Sequence, residues 1–244
     1  MILTLTPNPS LDRTVSLPGP LQRGAVQRLT GVVMEPGGKG VNVARVLSNA
    51  GRAATAVLPA AENDPVLTAL GALELPGLTV RSVPVAGPAR INTAVTEPDG
   101  TTTKLNELGA GLSEEEIDAV EQALLETLTL TGVSAGADTH HWAVLSGSLP
   151  PGAPARWYAR LVGLLREAAP GLRIAVDTSD EPLAALAAEL PASAPDLIKP
   201  NGEELGQLAG LPAERAMALE EGAVGGDYGP VVDAARVLVG LGLG

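Results

Sequence analysis

Cysteine is absent from the chain, which excludes disulfide cross-links, thiolate nucleophiles and thiolate metal sites. Phenylalanine is absent too, and with only two Trp and two Tyr the core of these 244 residues must be built from Leu, Val and Ala. Positive charge is scarce: 16 Lys and Arg stand against 28 Asp and Glu, a formal net charge of -12. A field of that sign excludes nucleic acid as a partner and leaves any anionic ligand to be held by a few local cations and amides. No apolar run approaches the ~20 residues of a membrane helix, so no membrane partner is expected. The opening Met1-Ile2-Leu3-Thr4-Leu5-Thr6-Pro7 has neither the basic region nor the cleavage pattern of a leader, and a cytoplasmic location is expected.

With 45% hydrophobic and 18% charged residues, the chain can bury the core of one large domain or of a domain with an appendage. The basic residues include only three Lys, at positions 39, 104 and 199, the rest being Arg. A sequence that so prefers Arg keeps Lys where a compact ammonium is needed.

Short apolar stretches alternate with helical patterns, the signature of an α/β fold. Residues 2–6, 53–58, 142–145, 172–176 and 197–198 read as buried strands, and 41–49, 114–128, 155–168, 182–189 and 202–208 as helices. Ser113-Glu114-Glu115-Glu116 has the form of a capping box. Residues 13–34 and 89–106 interrupt the alternation; Ile91, Thr93 and Val95 alternate before a Pro98-Asp99-Gly100 turn, so both stretches read as hairpin strands of a small β lid. Residues 222–229 read as a mobile loop.

Glu35-Pro36-Gly37-Gly38-Lys39-Gly40-Val41-Asn42 places adjacent glycines before a helix. Such a turn lets backbone approach a ligand closely, and the helix start offers free N–H groups to an anion or to sugar oxygens. The spacing differs from a Walker A loop and no Ser or Thr follows Lys39. Val43, Val46, Leu47 and Ala50 have the spacing of a buried helix face, and Arg45 that of a solvated one. Asp12, after Pro7 and Pro9, either accepts hydrogen bonds from sugar hydroxyls or caps the turn. Arg90 and Asn92 share one face of an alternating strand, as do Lys104 and Asn106, and can present a cation and an amide to one ligand or to solvent.

Ser146-Gly147-Ser148-Leu149-Pro150-Pro151-Gly152 and Asp177-Thr178-Ser179 each close an apolar strand, at the carboxyl ends where open α/β sheets bind ligands; ordinary turn chemistry is the other reading. In Lys199-Pro200-Asn201-Gly202-Glu203-Glu204, Asn201 and Glu204 lie a helical turn apart, suited to a hydrated magnesium on nucleotide phosphates or to a helix cap. His140-His141 reads as a loop or strand edge rather than a metal site.

In order and spacing, Thr6-Pro7-Asn8-Pro9-Ser10-Leu11-Asp12, Gly37 to Arg45, Arg90-Ile91-Asn92, Thr103 to Glu107, Ser146 to Gly152 and Lys199 to Glu204 resemble the phosphofructokinase B branch of the ribokinase-like sugar kinases, to about residue 210. Within the branch the likeness is greatest to bacterial 1-phosphofructokinases. The resemblance implies a three-layer α/β/α sandwich with a mostly parallel sheet and a β lid, in one domain over 1–244. It implies ATP-dependent phosphorylation of a ketohexose phosphate, fructose 1-phosphate first, with tagatose 6-phosphate or fructose 6-phosphate as alternatives. Asp12, Gly37, Gly38, Lys39, Asn42, Asn92 and Ser146 would hold the sugar, and Arg90 and Lys104 its phosphate. Lys199, Asn201 and Glu204 would serve ATP, the last two with Mg, and the lid strands would pair two copies into a homodimer. Such kinases carry their base in Gly-Ala-Gly-Asp, which residues 1–244 lack; Gly109-Ala110-Gly111-Leu112 has Leu in place of Asp. The resemblance therefore supplies no catalytic residue, reads the chain as C-terminally truncated, and implies slow turnover, since general acid–base help is worth roughly 10²- to 10⁴-fold. An inactive phosphosugar-binding or dimerising protein is the third expectation.

Overall fold

The computed structural model describes residues 1–131 and 141–243, so His140 lies outside the described residues. Along the chain run β1 (Ile2–Leu5), β2 (Ser10–Ser16), β3 (Gly31–Gly37), α1 (Lys39–Asn49), β4 (Ala54–Ala60), α2 (Pro65–Ala72), β5 (Leu78–Pro84), β6 (Arg90–Thr96), β7 (Thr102–Asn106) and α3 (Glu114–Leu130). They are followed by β8 (Trp142–Ser146), α4 (Trp157–Ala168), β9 (Arg173–Asp177), α5 (Asp180–Ala188), β10 (Leu197–Ile198), α6 (Gly202–Leu208), α7 (Ala213–Val224) and α8 (Gly229–Gly240). The chain divides into two compact units, one of Met1–Leu5, Glu121–Leu149 and Pro154–Gly244, the other of Thr6–Val120 and Pro150–Ala153.

In the first unit β1, β8, β9 and β10 pair in parallel, Ile2 against Trp142, Trp142 against Arg173 and Leu197 against Ala175. Their sequences are near-continuous apolar runs, as strands covered on both faces require. Leu3, Leu5, Leu145 and Ile174 are fully buried. Helix α4 buries Trp157, Tyr158, Leu161, Val162 and Leu165 along one stripe. The Trp157 indole donates to Glu121 Oε1 at 2.9 Å, and Glu121 Oε2 takes Arg160 Nη2 at 2.7 Å, so this buried carboxylate is paired and satisfied. A second cluster, of Leu183, Leu205, Leu208, Leu219, Ala234 and Leu238, joins α5 to α8. At the start of β1 the amino terminus lies 3.0 Å from His141 Nδ1, a strand-edge position.

The second unit holds a parallel strand pair and a four-stranded sheet. Strands β4 and β5 pair in parallel over a small-residue core of Val41, Ala44, Ala54, Ala56, Leu58, Ala60, Val66 and Leu70. The four-stranded sheet has the order β3-β2-β6-β7, with β2 parallel to β6 and both outer pairs antiparallel. Its strands begin at Ser10, ahead of the stretch 13–34 in which the pattern placed them, so Asp12 and Gly37 are themselves residues of this sheet. The Ser113 capping box forms, Ser113 N–H donating to Glu116 Oε2 at 2.8 Å and Glu116 N–H to Ser113 Oγ at 3.2 Å.

Two expectations fail. Helix α1 buries Gly40, Val41, Ala44 and Ser48, whereas Val46 is 67% exposed. The small residues face the sheet, and Ser48 Oγ is satisfied by donating to the Pro76 carbonyl at 2.7 Å. Residues 222–229 contain the end of α7 and the start of α8, and only the intervening turn is irregular, with Gly226 at φ 88°.

Candidate functional site

Asp12 is the centre of the second unit's polar face. Ser10 Oγ donates to Asp12 Oδ1 at 2.7 Å and Asn92 Nδ2 donates to the same oxygen at 3.1 Å. Ser10 and Asp12 are two apart on one strand and share its face, and the β2–β6 register sets Asp12 opposite Asn92. Gly37 lies over the carboxylate: a Cβ there would stand 2.2 Å from Asp12 Oδ2. Gly38, at φ 105°, is the N-cap of α1 and offers no side-chain cap; a Cβ on it would meet Thr6 Cγ2 at 2.5 Å. No acidic residue lies in the first turn of α1, so the amides after Gly38 and the positive helix end are not neutralised from within the helix. Lys39 and Asn42 sit exposed on that first turn. Arg45 is not a merely solvated group: it donates to the Pro36 carbonyl at 2.8 Å and pairs with Glu35 at 3.0 Å, tying α1 to β3, with Asn42 Oδ1 at 3.4 Å.

Strands β2, β6 and β7 form a concavity of about 270 Å³ lined by Asp12, Thr14, Asn92, Ala94, Lys104 and Asn106, together with Arg13 and Thr93. Register sets Asp12, Asn92 and Asn106 in one row and Thr14, Ala94 and Lys104 in the next. Arg90 shares this face one step before Asn92, opposite Ser10. Its Nη1 reaches only the Glu107 carbonyl, at 3.5 Å, and its Nε has no partner. Burial pulls the Arg90 guanidinium below its ordinary pKa and the Asp12 charge pushes it back up, so it remains a cation, incompletely solvated and incompletely bonded. Lys104 is exposed. Asp12, Gly37, Gly38, Lys39, Asn42, Arg90, Asn92 and Lys104 thus belong to one unit, and they supply an acceptor, amides and cations of the kind a phosphorylated polyol needs.

Ser146, Lys199, Asn201 and Glu204 belong to the other unit. Ser146 ends β8, is 1% exposed, and its hydroxyl has no partner. The turn after it is fixed at the Gly147 carbonyl, which accepts from Tyr158 Oη at 2.8 Å and from Thr178 Oγ1 at 3.1 Å. Full burial, with Asp177 nearby, pushes the Tyr158 phenol well above its ordinary range. Lys199 Nζ lies 4.0 Å from Asp177 Oδ1.

Asn201 and Glu204 form a reciprocal cap on α6: Glu204 N–H donates to Asn201 Oδ1 at 2.8 Å and Asn201 N–H to Glu204 Oε2 at 2.9 Å. Glu220 Oε2 takes the Gly202 amide at 2.6 Å. Two of the oxygens suited to magnesium are thus engaged by backbone, and no metal-holding group of three His, Asp or Glu occurs among the described residues. As a direct magnesium site this donor set does not fit.

Several residues of this machinery carry no strong sequence signal. Ser10 was findable from its two-residue spacing to Asp12 on a strand. Asn8, which donates to the Leu108 carbonyl at 3.0 Å, and Glu107 were not, nor was the bond from Asp64 to the Ala89 amide, since these partners are backbone atoms remote in sequence.

A family model described as "pfkB family carbohydrate kinase" matches residues 8–224. The chain is 36% identical over 232 residues to a 1-phosphofructokinase of Rhodobacter capsulatus, covering 92% of this chain and 68% of that protein. It is 35% identical over 210 residues to ATP-dependent 6-phosphofructokinase isozyme 2 of Escherichia coli, covering 85% and 62%. Among solved structures, phosphofructokinase-2 from Escherichia coli in complex with fructose-6-phosphate superposes with a TM-score of 0.72 at 31% identity, covering 88% of this chain and 68% of that one.

Proposed function

Since the chain belongs to the pfkB family of carbohydrate kinases and has their ribokinase-like α/β fold, we propose that it phosphorylates fructose 1-phosphate at the expense of ATP, giving fructose 1,6-bisphosphate and ADP. The observation that carries this reading is the Asp12 carboxylate, fixed by Ser10 and Asn92 under Gly37, beside the uncapped start of α1 and on the same strand face as Arg90 and Lys104. Asp12, with Asn42, the Gly37-Gly38 backbone and Lys39, accepts from and donates to sugar hydroxyls. Arg90 and Lys104 neutralise the phosphate already present, and Ser146 contributes its unpartnered hydroxyl. Lys199, Asn201 and Glu204 serve the nucleotide, which brings its own magnesium.

In this reading the chain acts as one domain with β3-β2-β6-β7 as its lid, and two copies meet through β3, where Val32, Val33 and Met34 are 49%, 57% and 51% exposed. A cytoplasmic location belongs to the same reading, because phosphoryl transfer from ATP draws on the nucleotide pool of that compartment. A second substrate, fructose 6-phosphate, is favoured by the 35% identity to isozyme 2.

The test is ADP release and thermal shift of the 244-residue chain with fructose 1-phosphate, fructose 6-phosphate, tagatose 6-phosphate and fructose, each with ATP and magnesium. Fructose 1-phosphate is expected to raise the melting temperature most and to be the phosphorylated substrate. Stabilisation by fructose 6-phosphate instead selects the second reading. No stabilisation by any phosphosugar refutes the site.

A further inference from the structure

Two carboxylates grip the backbone on either side of Arg90. Asp64, 3% exposed, uses Oδ1 to cap α2, accepting from the Val66 amide at 2.9 Å, and Oδ2 to accept from the Ala89 amide at 2.7 Å. Pro65 at the first helical position needs no partner of its own, and both Asp64 oxygens accept from main-chain amides rather than from the cation. On the other side, Glu107 Oε2 accepts from the Ile91 amide at 2.8 Å, and the Glu107 amide donates to the Ile91 carbonyl at 3.4 Å. Ala89 and Ile91 are the neighbours of Arg90 in the chain, and Arg90 forms no ion pair among the described residues.

Acidic groups beside an arginine ordinarily take its guanidinium, because a charge-assisted pair is stronger than a bond to a neutral amide. Here geometry denies them that: both acidic groups bond main-chain N–H groups, while the guanidinium stays half-buried with an unpartnered Nε. The arrangement fixes where the side chain begins and leaves the guanidinium without an ion pair, with the Asp12 charge acting on it from the same strand face. We infer that Asp64 and Glu107 are positioning residues that aim Arg90 at the phosphate of the sugar substrate, an inference that rests on the phosphate-binding role proposed for Arg90.

The experiment measures, by calorimetry on the full chain, the ratio of affinities for fructose 1-phosphate and fructose, in wild type, Asp64→Asn, Glu107→Ala, Arg90→Ala and the two doubles with Arg90→Ala. Asp64→Asn keeps an N-cap residue of equal quality but replaces one acceptor by a donor, and Glu107 is exposed, so folding is retained. Each single positioning variant is expected to lower the ratio by roughly 2- to 150-fold, the range of coupling between contacting residues, with fructose affinity unchanged and no further drop once Arg90 is Ala. A merely structural role would lower both affinities together and leave the ratio as it was, overturning the inference. If Arg90→Ala lowers the ratio but neither positioning variant does, or if their effects add fully to it, this inference alone fails. A ratio indifferent to Arg90→Ala overturns the phosphate role and this inference with it.

Discussion

Gly37→Ala isolates the relation between a backbone and a carboxylate. Gly37 is the last residue of β3, paired with Ser10, and its φ lies outside the left-handed region, so alanine is conformationally allowed. The added methyl would sit 2.2, 2.4 and 2.6 Å from Asp12 Oδ2, Cγ and Oδ1, against an ordinary contact of 3.4 Å or more. The carboxylate, the mobile partner, must swing away by about 1 Å or more and leave Ser10 and Asn92. Hydrogen bonds to charged groups contribute about 1.5–3 kcal/mol each, offset here by water at the displaced group, so a stability loss of about 1–2 kcal/mol is expected. A sugar that depended on the fixed carboxylate loses a bond of that class, a roughly 10- to 100-fold weakening. The assay is calorimetric titration with fructose 1-phosphate, run in parallel on Asp12→Ala and on the double variant. In Asp12→Ala the three atoms that crowd the methyl, Oδ2, Cγ and Oδ1, are gone, so Gly37→Ala should add almost nothing there. Wild-type affinity in Gly37→Ala, or a full additional loss in the double variant, refutes the reasoning.

Further outcomes follow from the same geometry. Tyr158, raised in pKa, keeps its proton in the folded state while the unfolded chain loses it near pH 10, so the unfolded state binds fewer protons above that pH and stability falls as pH rises. Urea unfolding between pH 9 and about 11.5 should show Tyr158→Phe losing stability less steeply than wild type, by up to about 1.4 kcal/mol per pH unit, and parallel slopes would contradict this. Asn201→Ala removes the α6 cap and should lower stability by about 1 kcal/mol and weaken ATP binding, with phosphosugar affinity unchanged, as calorimetry with each ligand would report. Val33→Glu places a charge on the exposed β3 surface; sedimentation should find the dimer dissociated and the far-ultraviolet spectrum unaltered.

The strands β1, β4, β8, β9 and β10 were legible because each is an apolar run too short for a helix, and the bounds of β10 match the expected 197–198. The buried face of α1 was not, since large Val residues carried the pattern while Gly40 and Ala44 made the close approach. β5 escaped because Arg81 and Pro84 break its run, and α7 and α8 because the glycines around 222–229 read as loop. Of the site, the glycine turn and Asp12 were visible separately, but that Asp12 touches Gly37 follows from strand register, which no local pattern encodes. The Asn201–Glu204 pair was read with two meanings, and the reciprocal cap is the one the geometry displays.

The parallel pairing of β2 with β6 also has a kinetic meaning. Asp12 and Asn92 are 80 residues apart, and a parallel pair cannot be closed by a hairpin, so the chain between them must first be gathered through α1, β4, α2 and β5. Contacts of such separation form slowly, since loop closure comes before any reward. During synthesis the sugar site cannot exist until β6 has left the ribosome. Once formed it latches the first strand of this unit's four-stranded sheet to one made much later, so sugar binding should slow the unfolding of the unit as a whole rather than of one hairpin.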